Sequence, residues 1–266
     1  MQFVSLASGS KGNCYYFASE EGTFLVDCGI SMKRIEAVVN QLAYGGMQAL
    51  KGIFITHEHR DHIAGLGPVL RRYHLPCYGT AATLDALEDC GIGRVDPGLL
   101  HPLEEGPMEL ADFSVSWSRI SHDAADPVSY QIRWQDQRIG MLTDAGVLSD
   151  DNMAALYDSD LLVLEANHDV EMLRNGPYPH YLKQRIYGKW GHLSNDTCAD
   201  AMPELLTGHT KHVVLAHLSE KNNLPRRAYQ TVQDRLTKAL PSPEQVKLWV
   251  ASQQTPLSIT LSEGNR

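Results

Sequence analysis

No stretch of the chain approaches the roughly 20 consecutive apolar residues of a membrane span, although 43% of its 266 residues are hydrophobic. Its first residues, Met1-Gln2-Phe3-Val4, begin like a strand instead of a charged leader followed by an apolar segment. A cytoplasmic protein with no membrane association and no obligate protein partner is expected. Cysteine is sparse and unpatterned. Cys14, Cys28, Cys77, Cys90 and Cys198 are odd in number and contain no Cys-x-x-Cys pair, which argues against a disulfide framework and a zinc ribbon. Positive charge is also in deficit: 23 Lys and Arg against 32 Asp and Glu give a formal net charge of -9. Broad, non-specific binding to nucleic acid needs a Lys/Arg surface and is disfavoured, whereas a local cationic cleft is not. Repeats, low-complexity segments and linkers are missing too, so one domain spanning 1–266 is expected.

Against these absences stands one dense stretch, Thr56-His57-Glu58-His59-Arg60-Asp61-His62, directly after the apolar run Gly52-Ile53-Phe54-Ile55. Three imidazoles and the Asp61 carboxylate so close together are poorly explained by packing, since each would need a partner if buried and each is a good ligand for a divalent metal. The β-branched run reads as a strand. His57 and His59, two residues apart in extended backbone, then point to the same side as the strand ends. Asp61 and His62 follow at a turn, placed to face a second metal.

The rest of the chain alternates strands and helices, which indicates an α/β layered fold. Gln2 to Ala7, Asn13 to Ala18 and Thr23 to Asp27 read as strands, and Ser31 to Leu42 as a helix capped by Ser31. Helices at about Leu66 to Tyr73 and Thr80 to Cys90 flank a short strand at Cys77. Later strands are expected at Phe113 to Ile120, Val128 to Trp134, Arg138 to Thr143, Leu161 to Leu164, Val213 to Ala216, Val246 to Val250 and Leu257 to Leu261. Asn167 to Gly191 is less regular; Ser194 opens a helix, and a basic helix begins near Pro225. Several of these runs end on a potential ligand, His122, Asp144 and His217, and Glu165 ends the run Leu161 to Leu164. Each is unremarkable alone, but sites in layered α/β folds gather on one rim. His74 and His101 fit no ligand pattern. Asp27, after Phe24-Leu25-Val26, is expected to brace a neighbouring loop as a structural support. The turn Ser8-Gly9-Ser10-Lys11-Gly12-Asn13 lacks a Walker pattern and reads equally as an ordinary hairpin or as a phosphate contact.

The set His57, His59, Asp61, His62, His122, Asp144 and His217 resembles the metallo-β-lactamase fold superfamily over nearly the whole chain. That resemblance implies an αββα four-layer sandwich. It also implies that His57, His59 and His122 hold one metal, that Asp61, His62 and His217 hold another, and that Asp144 bridges them. Imidazole and carboxylate donors without thiolate suit zinc or manganese, with iron also compatible. Two divalent ions would bring the formal charge from -9 to -5 and place the added charge at the site. A hydroxide shared by the two ions is the nucleophile this chemistry implies, with Asp61 orienting it.

Finer motifs point to a branch. Leu164-Glu165-Ala166 with Gly191-His192-Leu193-Ser194 resembles the carboxylate and general-acid histidine of the phosphodiesterase branch. Together with the Ser8 to Asn13 turn, Pro177-Tyr178-Pro179 with Leu182-Lys183, and His217-Leu218-Ser219-Glu220-Lys221-Asn222-Asn223, these segments are similar to the YycJ/WalJ-type group. Members of that group are 5′ exonucleases acting on DNA. The resemblance implies a phosphodiester hydrolase acting on DNA with a free 5′ end, single or double stranded, with Asp61, His192 and Glu165 as catalytic residues. Ser10, Lys11, Asn13, Lys183 and Ser194 are candidate substrate contacts, and Arg185, Lys189, Lys221, Arg226 and Arg227 are further cations available to phosphate. The 73 residues from Asp144 to His217 are too few for the extra domain of the β-CASP nucleases. They also include no long Gly/Pro-rich arm like that of many tRNA-processing relatives. His59 stands where flavodiiron proteins carry a carboxylate, which disfavours a redox di-iron site. The alternatives are a small-molecule or cyclic-phosphate phosphodiesterase, to which the acidic charge lends support, and a non-catalytic metal-stabilised scaffold.

Overall fold

Apolar and aromatic residues that alternate along short strands bury both faces of each sheet, and this produces four layers. In the computed structural model, which describes residues 1–262, the first half pairs β1 (Gln2–Ala7), β2 (Cys14–Ala18), β3 (Thr23–Val26), β4 (Leu50–Phe54), β5 (Cys77–Gly79) and β6 (Leu100–Pro102) into one sheet. Residues 263–266, the end of the single-domain span, lie outside the described residues. Helices α1 (Met32–Val39), α2 (Arg60–Ile63), α3 (Leu66–Tyr73) and α4 (Ala81–Ala86) connect those strands. The second sheet contains β7 (Met108–Leu110), β8 (Phe113–Arg119), β9 (Val128–Trp134), β10 (Gln137–Leu142), β11 (Leu161–Glu165), β12 (His212–Ala216) and β13 (Lys247–Val250). With it come α5 (Asp150–Leu156), α6 (Val170–Asn175), α7 (His180–Tyr187), α8 (Asn195–Leu205) and α9 (Pro225–Ala239). The last strand, β14 (Leu257–Thr260), returns to pair antiparallel with β1.

Both sheets follow one plan. The first runs β14-β1-β2-β3-β4-β5-β6, antiparallel as far as β3 and parallel beyond it. The second runs β7-β8-β9-β10-β11-β12-β13, antiparallel as far as β10 and parallel beyond. Strand periodicity divides the core: along β11, Leu161 and Val163 face the other sheet while Leu162 and Leu164 face the helices. Aromatic rings fill the space between sheets. Phe24 stacks on Phe17 at 5.0 Å and meets Phe113 of the facing sheet edge-on at 5.1 Å. Truncating a buried ring of this kind costs about 3–5 kcal/mol. Ile35, Val39, Val69 and Leu70 cover one outer face; Leu156, Met202, Val232 and Leu236 cover the other. This is the αββα sandwich that the sequence led us to expect.

Some local expectations need correction. The Ser31 side chain makes no cap hydrogen bond and α1 stops at Val39. The helix after Thr80 ends at Ala86. The irregular stretch Asn167 to Gly191 contains α6 and α7, and the short strands β6 and β7 and helix α5 are additional elements. Ser194 does cap α8, accepting from the Thr197 N–H at 3.0 Å. No helix of the described residues is long and apolar enough to cross a membrane.

Candidate metal centre

Strand ends carry the site to one rim. Three of its residues leave their strands in left-handed backbone: Asp27 after β3 (φ 61°), Asp144 after β10 (φ 60°) and His217 after β12 (φ 53°). Such conformations cost non-glycine residues about 1–3 kcal/mol each. They turn side chains sharply out of the sheet and toward the loop after β4.

That loop is locked from behind. Asp27, fully buried, accepts from the Thr56 N–H at 2.9 Å and the Thr56 hydroxyl at 2.9 Å, and lies 2.7 Å from His62 Nδ1. His57 Nδ1 lies 3.0 Å from Thr56 Oγ1. His59 Nε2 is 3.2 Å from the Asp123 carbonyl, and His122 Nδ1 is 3.2 Å from the Gly191 carbonyl. Backbone acceptors of this kind select the tautomer and leave the other ring nitrogen as the lone-pair donor. The result is a triangle of imidazoles: His57 to His59 is 4.7 Å between ring centres, and His57 to His122 and His59 to His122 are both 5.0 Å. The rings meet at 70–79°.

Beside that triangle is a carboxylate-rich pocket. His62 Nε2 lies 3.2 Å from Asp144 Oδ2 and 3.7 Å from Asp61 Oδ2. His217 Nε2 lies 3.3 Å from Asp61 Oδ2, while its Nδ1 is 2.9 Å from Glu165 Oε1. Glu165 is the hinge of this side. The same Oε1 lies 2.9 Å from His192 Nδ1, and its Oε2 accepts from the Ala145 and Leu193 N–H groups, both at 3.0 Å.

Three residue groups bring ligand atoms within 4.8 Å of one another: His57, His59, His122; His57, His62, Asp144; and Asp61, His62, His217. Glu165 and His192 join Asp144 and His217 in a fourth. The donors fit divalent cations on an observation independent of family. His57 Nε2 is buried without any hydrogen-bond partner, and Asp144 Oδ2 accepts no well-formed hydrogen bond. Orphaned buried polar atoms are costly, and a cation between them removes that cost.

Charge divides the two pockets. Burial, reinforced by His62, pulls the His57 pKa well below its ordinary value, and burial also lowers that of His122. For His217 burial acts the same way, but Asp144, Asp61 and Glu165 outweigh it and push the pKa up to about 10. His62 is likewise raised well above the ordinary value, with Asp27, Asp144 and Asp61 overcoming burial. Burial opposes ionisation of Glu165, yet His192 and His217 bring it down to about 2. His192 rises because Glu165 and Asp144 outweigh its desolvation.

His59, Asp61, His122, Asp144, His192 and His217 floor a cleft of about 200 Å³, walled by Ser10, Asp123, Asn167 and Ser219 and by Tyr178, Leu182, Arg185 and Ile186. Of the candidate substrate contacts, Ser10 lines it. Lys11 is paired with Glu220 at 2.6 Å, and Lys183 donates to the Arg174 carbonyl at 2.8 Å. Asn13 is fully buried, its amide 3.1 Å from His62 Nε2 and 2.9 Å from the Gly9 N–H, so it braces the loop instead of meeting solvent. The Ser194 hydroxyl is occupied as a helix cap. Asp123 and Asn167 were not singled out from sequence. Asp123 ties Arg185 (2.5 Å) to the loop holding His122, and Asn167 donates to the His217 carbonyl at 2.9 Å. Only their adjacency to predicted strand ends signalled them.

Residues 23–218 match the family described as the beta-lactamase superfamily domain. The chain is 40% identical over 233 residues to exodeoxyribonuclease YycJ of Bacillus anthracis, covering 87% of this chain and 88% of that protein. It is 39% identical over 240 residues to exodeoxyribonuclease WalJ of Streptococcus pneumoniae, covering 90% and 89% respectively. Among solved structures, the metallo-beta-lactamase fold protein YhfI of Bacillus subtilis superposes with a TM-score of 0.73 at 16% identity, over 97% of this chain and 99% of the other. The short form of human tRNase Z gives 0.65 at 17% identity, over 98% and 100%.

Proposed function

The chain belongs to the beta-lactamase superfamily, and from that premise we propose that this metal-dependent hydrolase cleaves phosphodiesters with two divalent ions and removes nucleotides from a 5′ end of DNA. The observation that carries this reading is the juxtaposition of two ligand pockets with a histidine held by Glu165 on their edge. In the proposal, His57, His59 and His122 hold one ion, Asp61, His62 and His217 hold the other, and Asp144 stands between them, within one folded domain. Zinc or manganese suits these nitrogen and oxygen donors, and iron is compatible. When bound, such a pair lowers the pKa of water and offsets charge on phosphoryl oxygens.

The chain's own groups supply the remainder. Asp61, partly exposed at the cleft, orients the attacking water through its carboxylate. With His192 Nδ1 committed to Glu165 Oε1 at 2.9 Å, the proton offered to the leaving oxygen is the one on Nε2. The raised His192 pKa keeps that proton available. Asp27 fixes Thr56 and His62 from behind and touches no substrate.

The test is incubation with 5′-labelled and 3′-labelled DNA strands alongside bis-aryl phosphates. Stepwise release from the 5′ end supports the reading. The acidic net charge of -9 favours a second reading, a small-molecule phosphodiesterase, and fast turnover of bis-aryl or cyclic phosphates with intact DNA would establish it.

A further inference from the structure

The most unusual surface of this acidic protein lies against its metal cleft. Residues 172–195 contain Arg174, Lys183, Arg185 and Lys189 and no Asp or Glu. This segment therefore carries +4 within a chain of -9, which leaves -13 for the remainder. Tyr178, Tyr181, Tyr187 and Trp190 are interleaved with those cations. Alternating cations and aromatic rings are the chemistry that grips a single nucleic-acid strand, through backbone charge and base stacking.

Helix α7 shows that these rings are not kept for the core. None of its residues is buried, and eight residues are too few for a helix to be stable alone. It is held instead by polar ties: Tyr187 to the Val170 carbonyl at 2.8 Å, Lys183 to the Arg174 carbonyl, and Arg185 to Asp123. Tyr178, Leu182, Arg185 and Ile186 face the metal cleft. Tyr181, four residues before Arg185 on the helix, is its neighbour at the flank of that face and is 73% exposed. At the other end, the Gly188 to Gly191 turn folds back on α7 and carries His192 into the site. In that turn Trp190 is 50% exposed, with Lys189 Nζ 4.8 Å from its ring centre.

The cleft, about 200 Å³, is smaller than the roughly 300 Å³ at the low end of small-molecule sites. It accepts a phosphodiester with little beyond it, so the flanking bases must rest on the rim. We propose that Tyr178, Tyr181 and Trp190 form a stacking rim at the mouth of the metal cleft that takes the unpaired terminal bases of a DNA strand. The proposal rests on the exonuclease reading and specifies how that site grips its polymer. The occupant follows from Tyr178, which joins the rim to the cleft wall, and from Lys183 and Lys189, which have no carboxylate partner among the described residues, whereas Arg174 pairs with Glu171 and Arg185 with Asp123.

The test compares steady-state constants of wild-type holoenzyme, Tyr181→Ala and Tyr181→Phe on a 5′-phosphorylated single strand and on the same strand with its terminal bases replaced by abasic sites. Tyr181→Ala is expected to raise KM for the intact strand roughly tenfold, with a smaller change in kcat, because base stacking is lost. Tyr181→Phe keeps the ring and is expected to restore the wild-type KM. On the abasic strand the KM values of wild type and Tyr181→Ala should converge. Equal KM values on the intact strand, or an equal loss on both strands, would overturn the rim. A wild-type enzyme that degrades no DNA would overturn the exonuclease reading itself, a separate result because it appears before any variant is made.

Discussion

The two pockets that meet at Asp144 are built from different materials. One is a triangle of imidazoles whose members His57 and His122 are held below their ordinary pKa, chiefly by burial. The other couples His62 and His217 to Asp61 and Asp144 and, through His217, to Glu165, and both of its imidazoles are held above their ordinary pKa. At His57 and His122 the first presents lone pairs already free of protons. The second must exchange protons for a cation, since a ligating histidine is neutral. Equal pH dependence of ion uptake at the two pockets is therefore not expected, and the catalytic candidate His192 sits on the proton-rich side.

The largest effect should come from the shared wall. Asp144→Ala is expected to remove diester hydrolysis down to background and to weaken ion uptake at both pockets; a variant with full ion content would break the comparison at its centre. His192→Gln should lower kcat by about 10²–10⁴-fold while metal content, read by elemental analysis, stays at the wild-type value. Loss of ions in that variant would place His192 among the ligands instead. Glu165→Gln touches His217 but not the imidazole triangle, so it should weaken metal affinity by about 10–100-fold on the carboxylate side alone, as read by chelator competition.

The smallest effect concerns an imidazole outside both pockets. His168 is buried, neither ring nitrogen has a hydrogen-bond partner, and burial pulls its pKa from 6.5 down to about 4. Between those values the unfolded chain binds more protons than the folded one, so stability falls as pH drops through that window. The linked loss approaches about 3 kcal/mol, and His168→Gln should flatten it in denaturant titrations between pH 7 and 4.5. An unchanged slope would show that His168 is not held neutral.

Much of this centre could be read from spacing because metal ligands need particular atoms at particular strand ends. The segment His57 to His62, then His122, Asp144 and His217, stands out on those grounds, whereas the pairing of Glu165 with His192, 2.9 Å apart in the structure, was implied by the family resemblance. The layered fold was legible for a related reason: runs such as Leu161 to Leu164 are apolar on both faces. Helix α7 was not, because it buries no face and so leaves no apolar stripe to detect. The edge strands β6 and β7 have three residues each and little burial. The left-handed turns at Asp27, Asp144 and His217 carry no glycine to announce them. Pairings such as Lys11 with Glu220, or Asn13 with the His62 loop, depend on residues distant in sequence, and composition alone says nothing of them.

The most direct measurement is a calorimetric metal titration of the stripped protein in buffers of different ionisation enthalpy, repeated on His122→Ala and His217→Ala. Two ions per wild-type chain are expected, one taken up with proton release and one without. His122→Ala should retain the proton-releasing event and His217→Ala the other. A single ion in the wild type, or the loss of both events in each variant, would contradict two unlike pockets joined at Asp144.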